Sequence, residues 1–300
     1  MPQIIECVPN FSEGRDRAVI EKLVAAVKSV PDVRFLHQTS DEDHNRTVLT
    51  FAGEPSPVVE AAFRAIKVAS ERIDLSRHEG QHPFVGAADV VPLVPIQNVT
   101  MQACAEYAHV LGRRVASDLN LPVFLYEEAF TRADCRNLAD IRKGGYEGLN
   151  QRMQADPPFT PDYGPNQLGP AGAVVIGARD FLIAFNIFLQ TDDVTIAKAI
   201  ASRIRERDGG LPKVKALGLL VDGRAQVSMN LTDYRVTPPH VVVDAVTRLA
   251  HEIGVEVAES ELIGLMPEAA ILAAAQQALG LPQLLPDRIL ENALRSDTDS

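Results

Sequence analysis

Two histidines four positions apart, His78 and His82, flank a glutamate in the run Arg77-His78-Glu79-Gly80-Gln81-His82-Pro83. The run fits H-E-x-x-H, in which imidazoles one helical turn apart hold zinc and the glutamate is the general base. That chemistry needs a helix through the motif. Here Gly80 sits inside it and Pro83 follows His82 directly. Glycine costs a helix interior about 1 kcal/mol, and the residue before proline is driven out of the α region. No downstream histidine stands at ligand spacing. A zinc hydrolase is therefore the third-ranked reading, and no metal is expected. Without metal, an imidazole on a loop is a proton carrier, because it titrates near neutrality. His82 is the stronger candidate, lying on a glycine-flanked loop before the apolar run 90–96. The competing reading makes both histidines inert loop residues.

Other polar groups could take part. Asp41-Glu42-Asp43-His44-Asn45-Arg46 cluster at a strand entrance, as a site or as a solvated turn. Asn10 closes the first strand in a similar way. Asn186 interrupts an apolar run, where it needs a partner across the core or in a groove. The loop Tyr163-Gly164-Pro165-Asn166-Gln167-Leu168-Gly169-Pro170-Ala171-Gly172 is rich in Gly and Pro. Its glycines would let a flat ligand approach the backbone, or it is a linker. No P-loop, dinucleotide-binding G-x-G-x-x-G, G-x-S-x-G or C-x-x-C occurs.

The elements that must position these groups follow from periodicity. A strand at 3–9 precedes a helix at 16–29, and strands at 33–38 and 46–51 flank the charged turn. A helix opens at Ser56-Pro57 and runs to about 73, and a strand covers 88–96. That order is βαββαβ, the ferredoxin-like pattern. A helix at 100–118 and a strand at 122–126 follow, and 130–170 reads as irregular. Strands at 173–177 and 181–189 come next, then a helix at 193–207 capped within Thr191-Asp192-Asp193. The pair 214–221 and 225–231 turns at Asp222-Gly223, a hairpin signal. A helix from Thr237-Pro238 to 253, a strand at 255–258 and a helix at 267–279 complete the chain. From 181 onward the order is βαββαβ again. The expected fold is α/β, with two such subdomains, 1–170 and 171–300, packed side by side around a ligand groove.

Three hundred residues suffice for one substantial core or two modest ones. The net charge of −11 argues against a nucleic-acid partner. Three cysteines without metal-ligand spacing suit a reducing cytoplasm. The N-terminal residues lack a signal-peptide pattern, and no apolar run has membrane-spanning length.

Ordered segments across the chain resemble one family. They are Glu6-Cys7-Val8-Pro9-Asn10-Phe11-Ser12-Glu13-Gly14, Asn45-Arg46-Thr47-Val48, Ser76-Arg77-His78 through His82-Pro83, and Gly86-Ala87-Ala88-Asp89-Val90. Further on are Ile141-Arg142 with Tyr146-Glu147, Asp162-Tyr163-Gly164-Pro165, Gly177-Ala178-Arg179, Ala184-Phe185-Asn186-Ile187, Gln226-Val227-Ser228-Met229-Asn230-Leu231 and Ser260-Glu261-Leu262-Ile263-Gly264-Leu265-Met266-Pro267. Together they resemble glutamate formimidoyltransferase, the formiminotransferase domain of histidine degradation. The resemblance implies a dimeric two-subdomain transferase with tetrahydrofolate as co-substrate. It would move the formimidoyl group of N-formimidoyl-L-glutamate to N5 of the pterin. It places the catalytic histidine on His82 and folate binding on residues 163–172. A cyclodeaminase domain is not expected in 300 residues. The stretch between Gly164-Pro165 and Gly177-Ala178-Arg179 is one residue short of the family pattern and lacks a His or Trp often found there.

On this reading Asp41 or Asp43 orients groups near His82, and Arg46, Arg77 or Arg179 pairs with substrate carboxylates. Asn10, Asn45 and Asn186 are further substrate-binding candidates. The alternatives are a relative using another donor, formyl-glutamate or formimidoylglycine, and a folate binder without catalysis.

Overall fold

The computed structural model describes residues 2–80 and 83–296. Its first unit contains β1 (Ile4–Cys7), β2 (Asn10–Phe11), α1 (Arg17–Lys28), β3 (Val33–Asp41), β4 (Arg46–Gly53), α2 (Pro55–Arg72), β5 (Ala88–Gln97), α3 (Met101–Leu119), β6 (Val123–Glu127), α4 (Leu138–Ile141), α5 (Gly145–Met153) and β7 (Val174–Ala178). The second contains β8 (Ile183–Leu189), α6 (Val194–Ile204), β9 (Val214–Val221), β10 (Arg224–Leu231), α7 (Pro239–Glu252), β11 (Val257–Ile263), α8 (Glu268–Leu279) and α9 (Leu290–Ser296). This is a mixed α/β architecture with one sheet in each unit.

In the first sheet β1 lies between β4 and β5, and β3 pairs with β4, all antiparallel. β7 then joins β5 and β6 in parallel. The apolar faces of α1, α2 and α3 pack on one side with Ile5, Cys7, Phe51, Val91 and Leu93. On the other side of the parallel part, Ile141, Leu149 and Met153 from α4 and α5 cover Val90, Phe124 and Val175. Strands covered on both faces read as continuous apolar runs, which explains why 88–94 is buried throughout. In the second sheet the order is β11-β8-β10-β9. Its core holds Ile187, Val227, Ile200 and Val246.

Several local expectations hold. Asp193 caps α6 by accepting from Thr195 N–H at 2.8 Å. Asp222 and Gly223 both have positive φ, 49° and 68°, as a tight hairpin turn requires.

Others differ. The stretch 130–170 contains α4 and α5, whose few apolar positions give little periodicity. α2 starts at Pro55 after Glu54 rather than at Ser56-Pro57. The Thr237 hydroxyl donates to Pro212 O at 2.7 Å, so it does not cap α7. The strand near 173–177 belongs to the first sheet, because its hydrogen bonds go to β5 and β6. The first unit accordingly ends at Asp180 and the second begins at Phe181, past the boundary expected at 170.

Candidate active-site loop

The loop between α2 and β5 is fixed at both ends by backbone and side-chain contacts. At its start, Leu75 N–H donates to Pro170 O at 2.8 Å. At its end, Ala87 N–H donates to Ala171 O at 2.8 Å and Ala173 N–H to Val85 O at 2.9 Å. The Ser12 hydroxyl donates to Gly86 O at 2.8 Å. Residues 170–173, the end of the expected folate segment and the residue after it, are thus stitched to the loop expected to carry the catalytic histidine. The stitching needs glycine. A Cβ at Gly86 would sit 1.8 Å from Ala173 O, and Gly172, at φ +67°, would place one 2.2 Å from Val85 O.

His82 and Gln81 lie outside the described residues. Around them, His78 ends a single 3-10 turn and has an extended backbone, and residues 78–80 are not helical. The helix that H-E-x-x-H requires is therefore missing over the first part of the motif. Among the described residues no group of three or more His, Cys, Asp or Glu is placed to hold a metal ion. No helix among them is long and apolar enough to cross a membrane.

Asn45 is the hub of the site. It occupies the left-handed region at φ 47°, at the tip of the β3–β4 hairpin. Its Oδ1 accepts from Gly14 N–H at 2.8 Å. Its Nδ2 donates to Glu79 O at 3.0 Å and to His78 Nδ1 at 3.2 Å. Three segments far apart in sequence meet on one amide. His78 accepts through Nδ1, so its ring proton is on Nε2. Its ring stands edge-on to Phe84, centroids 4.4 Å apart. Burial lowers the His78 pKa below 6.5.

Asp41 Oδ1 accepts from His44 N–H at 2.6 Å and lies 3.0 Å from His44 Nδ1. The His44 ring holds its carboxylate down at about 2, with Arg46 nearby adding to the effect. Ser12, His44, Asn45, Arg46, His78, Phe84 and Asp89 line one small pocket. Asp89 is buried, receives Val85 N–H at 2.8 Å and pairs with Arg142. Sequence reasoning placed His44 inside the polar cluster 41–46 without naming it as a substrate-binding candidate, and did not single out Asp89 or Arg142 as site residues. The Asp89–Arg142 pair had a signal, since both lie in family-like segments.

The other expected residues are dispersed. Asn10 is on β2, its side chain donating to Val8 O at 3.2 Å. Asp43 is exposed at the hairpin tip. The side chain of Arg77 is 88% exposed, 3.8 Å from Asp74. Arg179 follows β7, with its N–H on Leu93 O at 3.1 Å. Its guanidinium acts on Glu6 and Tyr126. Glu6 is buried with one oxygen unpartnered, and burial raises its pKa to about 7 against the pull of Arg179. Asn186 belongs to the second unit, donating from β8 to Glu261 Oε2 at 2.9 Å.

Within 163–172, Tyr163 turns toward α3, its hydroxyl 2.8 Å from His109 Nδ1. Asn166 Nδ2 donates to Met153 O at 3.2 Å, and Gly169 O accepts from the Tyr146 hydroxyl at 3.2 Å. Leu168 and Ala171 are buried, while Gln167 and Pro170 are exposed, as are Gly164 and Gly169. Pro165 is half-buried.

Comparison with known proteins adds a second line. Residues 4–179 match the formiminotransferase domain, N-terminal subdomain, and residues 184–284 match the formiminotransferase domain. The chain is 45% identical over 295 residues to glutamate formimidoyltransferase of Thermoplasma acidophilum, covering 97% of each. It is 42% identical to the protein of that name from Streptococcus pyogenes, covering 98% of this chain and 99% of the relative. It is 43% identical over 285 residues to formimidoyltransferase-cyclodeaminase of Gallus gallus, and spans about half that relative's length, 52%.

Proposed function

The chain belongs to the formiminotransferase family, and on that premise we propose that it is a glutamate formimidoyltransferase. It moves the formimidoyl group of N-formimidoyl-L-glutamate to N5 of tetrahydrofolate and releases L-glutamate, a step of histidine degradation. The structural observation that carries this reading is the stitching of residues 170–173 to the ends of the loop that contains position 82. A folate-binding segment and a proton carrier must be neighbours for the transfer to occur.

The donor is an amidine, and N5 of the pterin is the nucleophile. N5 adds to the formimidoyl carbon to give a tetrahedral intermediate, and the glutamate nitrogen then leaves. N5 must lose a proton and the departing nitrogen must gain one. In this proposal His82 is the proton carrier. Asp41 or Asp43 orients groups near it, and Arg46, Arg77 or Arg179 pairs with substrate carboxylates. No metal is needed for these steps. A homodimer in the cytoplasm, and a ferredoxin-like reading of both βαββαβ units, belong to the same proposal.

The test is turnover with the two substrates, with and without a chelator. His82→Ala should leave tetrahydrofolate binding largely intact and lower turnover by about two or more orders of magnitude. Near-normal turnover in that variant would remove His82 from the mechanism. A wild-type protein that binds folate without turning over the donor would remove the activity itself.

A further inference from the structure

We propose that Asn45 is a positioning residue for the loop that leads to position 82: its side-chain amide fixes residues 78 and 79, and so sets turnover without touching substrate. The inference rests on the formimidoyl-transfer reading above and adds a residue to it.

Asn45 stands at the tip of the β3–β4 hairpin at φ 47°, a left-handed conformation that asparagine tolerates and most side chains avoid. It is buried, with 7% of its surface exposed. A buried primary amide must place two N–H donors and a carbonyl oxygen. The oxygen takes Gly14 N–H at 2.8 Å, from the segment before α1. The nitrogen gives one proton to Glu79 O at 3.0 Å and the other to His78 Nδ1 at 3.2 Å. Gly14 supplies a donor and Glu79 an acceptor, and both are backbone groups whose polarity is fixed. The amide therefore fits only one way round, and the His78 nitrogen that faces it must accept. Both amide protons go to the loop, which leaves none for a substrate.

The loop also lies against the hairpin backbone. A Cβ on Gly80 would stand 2.4 Å from His44 O and 3.2 Å from Asn45 Cβ. Residues 78, 79 and 80 thus follow the hairpin tip, and the chain runs from them directly into position 82. The far flank is tied by Asp89, which receives Val85 N–H at 2.8 Å. Asp89 reaches back only four residues along its own segment, whereas Asn45 holds groups 33 and 34 residues away. Asn45 is the side chain that couples loop to hairpin. Misplacing a reacting group by about 1 Å costs about a hundredfold in rate.

The joint also has a protonation requirement. His78 accepts from Asn45 only while its Nδ1 carries no proton, and burial lowers its pKa below 6.5. The titratable and charged groups facing it are Glu13 and Arg15 from the segment before α1, His44 and Arg46 from the hairpin, and Asp89 from β5 with its partner Arg142. Glu13 and Asp89 favour the charged ring and Arg15 opposes it, and burial outweighs the two carboxylates.

The experiment compares kcat and both KM values against pH in wild type, Asn45→Asp and Asn45→Gly, with the unfolding midpoint of each. Asn45→Asp keeps the acceptor for Gly14 and the left-handed turn, and removes only the donors to the loop. Asn45→Gly keeps the turn and removes the whole side chain. Both should fold, lower kcat by about tenfold to a hundredfold and keep KM within about threefold. In Asn45→Asp the introduced carboxylate favours a protonated His78, whose Nδ1–H can then donate to it. The deficit in kcat relative to wild type should therefore shrink as pH falls through the histidine range, and in Asn45→Gly it should not. A purely structural role would not produce that difference. A kcat within about twofold of wild type in both variants overturns the proposal. So does a raised KM with kcat kept, which would make Asn45 a substrate ligand. Failure of both variants to fold assigns the amide to the fold and overturns it too. A wild type inactive with these substrates overturns the functional reading, and this inference with it.

Discussion

Glu6 and Asn45 show how differently a polar residue can serve inside one sheet. Asn45 uses its acceptor and its amide donor on protein groups, so its side chain works as a joint between three segments rather than as an open substrate ligand. Glu6 is the opposite case, buried with one oxygen unpartnered. Folded, it keeps its proton up to about pH 7, against 4.5 when unfolded. Between those values the folded state binds more protons, so stability falls as pH rises through that window. Glu6→Gln should therefore stabilise the protein at pH 8, by up to about 3 kcal/mol from the size of the shift. It should have little effect near pH 4, where both forms are neutral. Denaturant titrations at the two pH values test this, and an equal effect at both would mean that ionisation is not the cause.

At the scale of elements, the loop before β5 is held by neighbours rather than by its own secondary structure. Backbone hydrogen bonds to residues 170, 171 and 173 fix its ends, and the Asp89–Arg142 pair ties β5 to the segment leading into α5. Close backbone approach at Gly86 and Gly172 makes this junction possible. Gly172→Ala adds a Cβ 2.2 Å from Val85 O at a positive φ. It should destabilise the chain by about 1–3 kcal/mol and lower turnover with it, because the loop end must shift. Chemical denaturation and the transferase assay on the same sample measure both. Unchanged turnover in a destabilised variant would show that the junction supports the fold without positioning the loop.

For the whole molecule, each unit encloses its own core. Ile187 is fully buried in the second, among Val227, Ile200 and Val246. Ile187→Ala should cost about 2–5 kcal/mol. Amide exchange should rise in Ile183–Leu189 and Arg224–Leu231 and stay unchanged in Ala88–Gln97. Equal acceleration in Ala88–Gln97 would mean that the two cores unfold as one. The net charge of −11 sets the surface of both and favours solubility over nucleic-acid binding.

The sequence by itself determined the order of the long elements, the hairpin at Asp222-Gly223 and a helix cap within Thr191-Asp192-Asp193, because each depends on residues within a turn or two of one another. It also carried the family, through ordered segments, and it weakened the zinc reading, through Gly80 and Pro83. Tertiary structure alone decided that the strand after Gly172 joins the first sheet, that α4 and α5 cover its second face, and that Asn45, His78 and Gly14 share one network. The joining residues are 31 to 34 positions apart for Asn45 and 53 for Asp89 with Arg142. Periodicity reports only what lies nearby along the chain. A carboxylate or amide says that it needs a partner once buried, but which distant segment supplies that partner is set by the packing of the sheet.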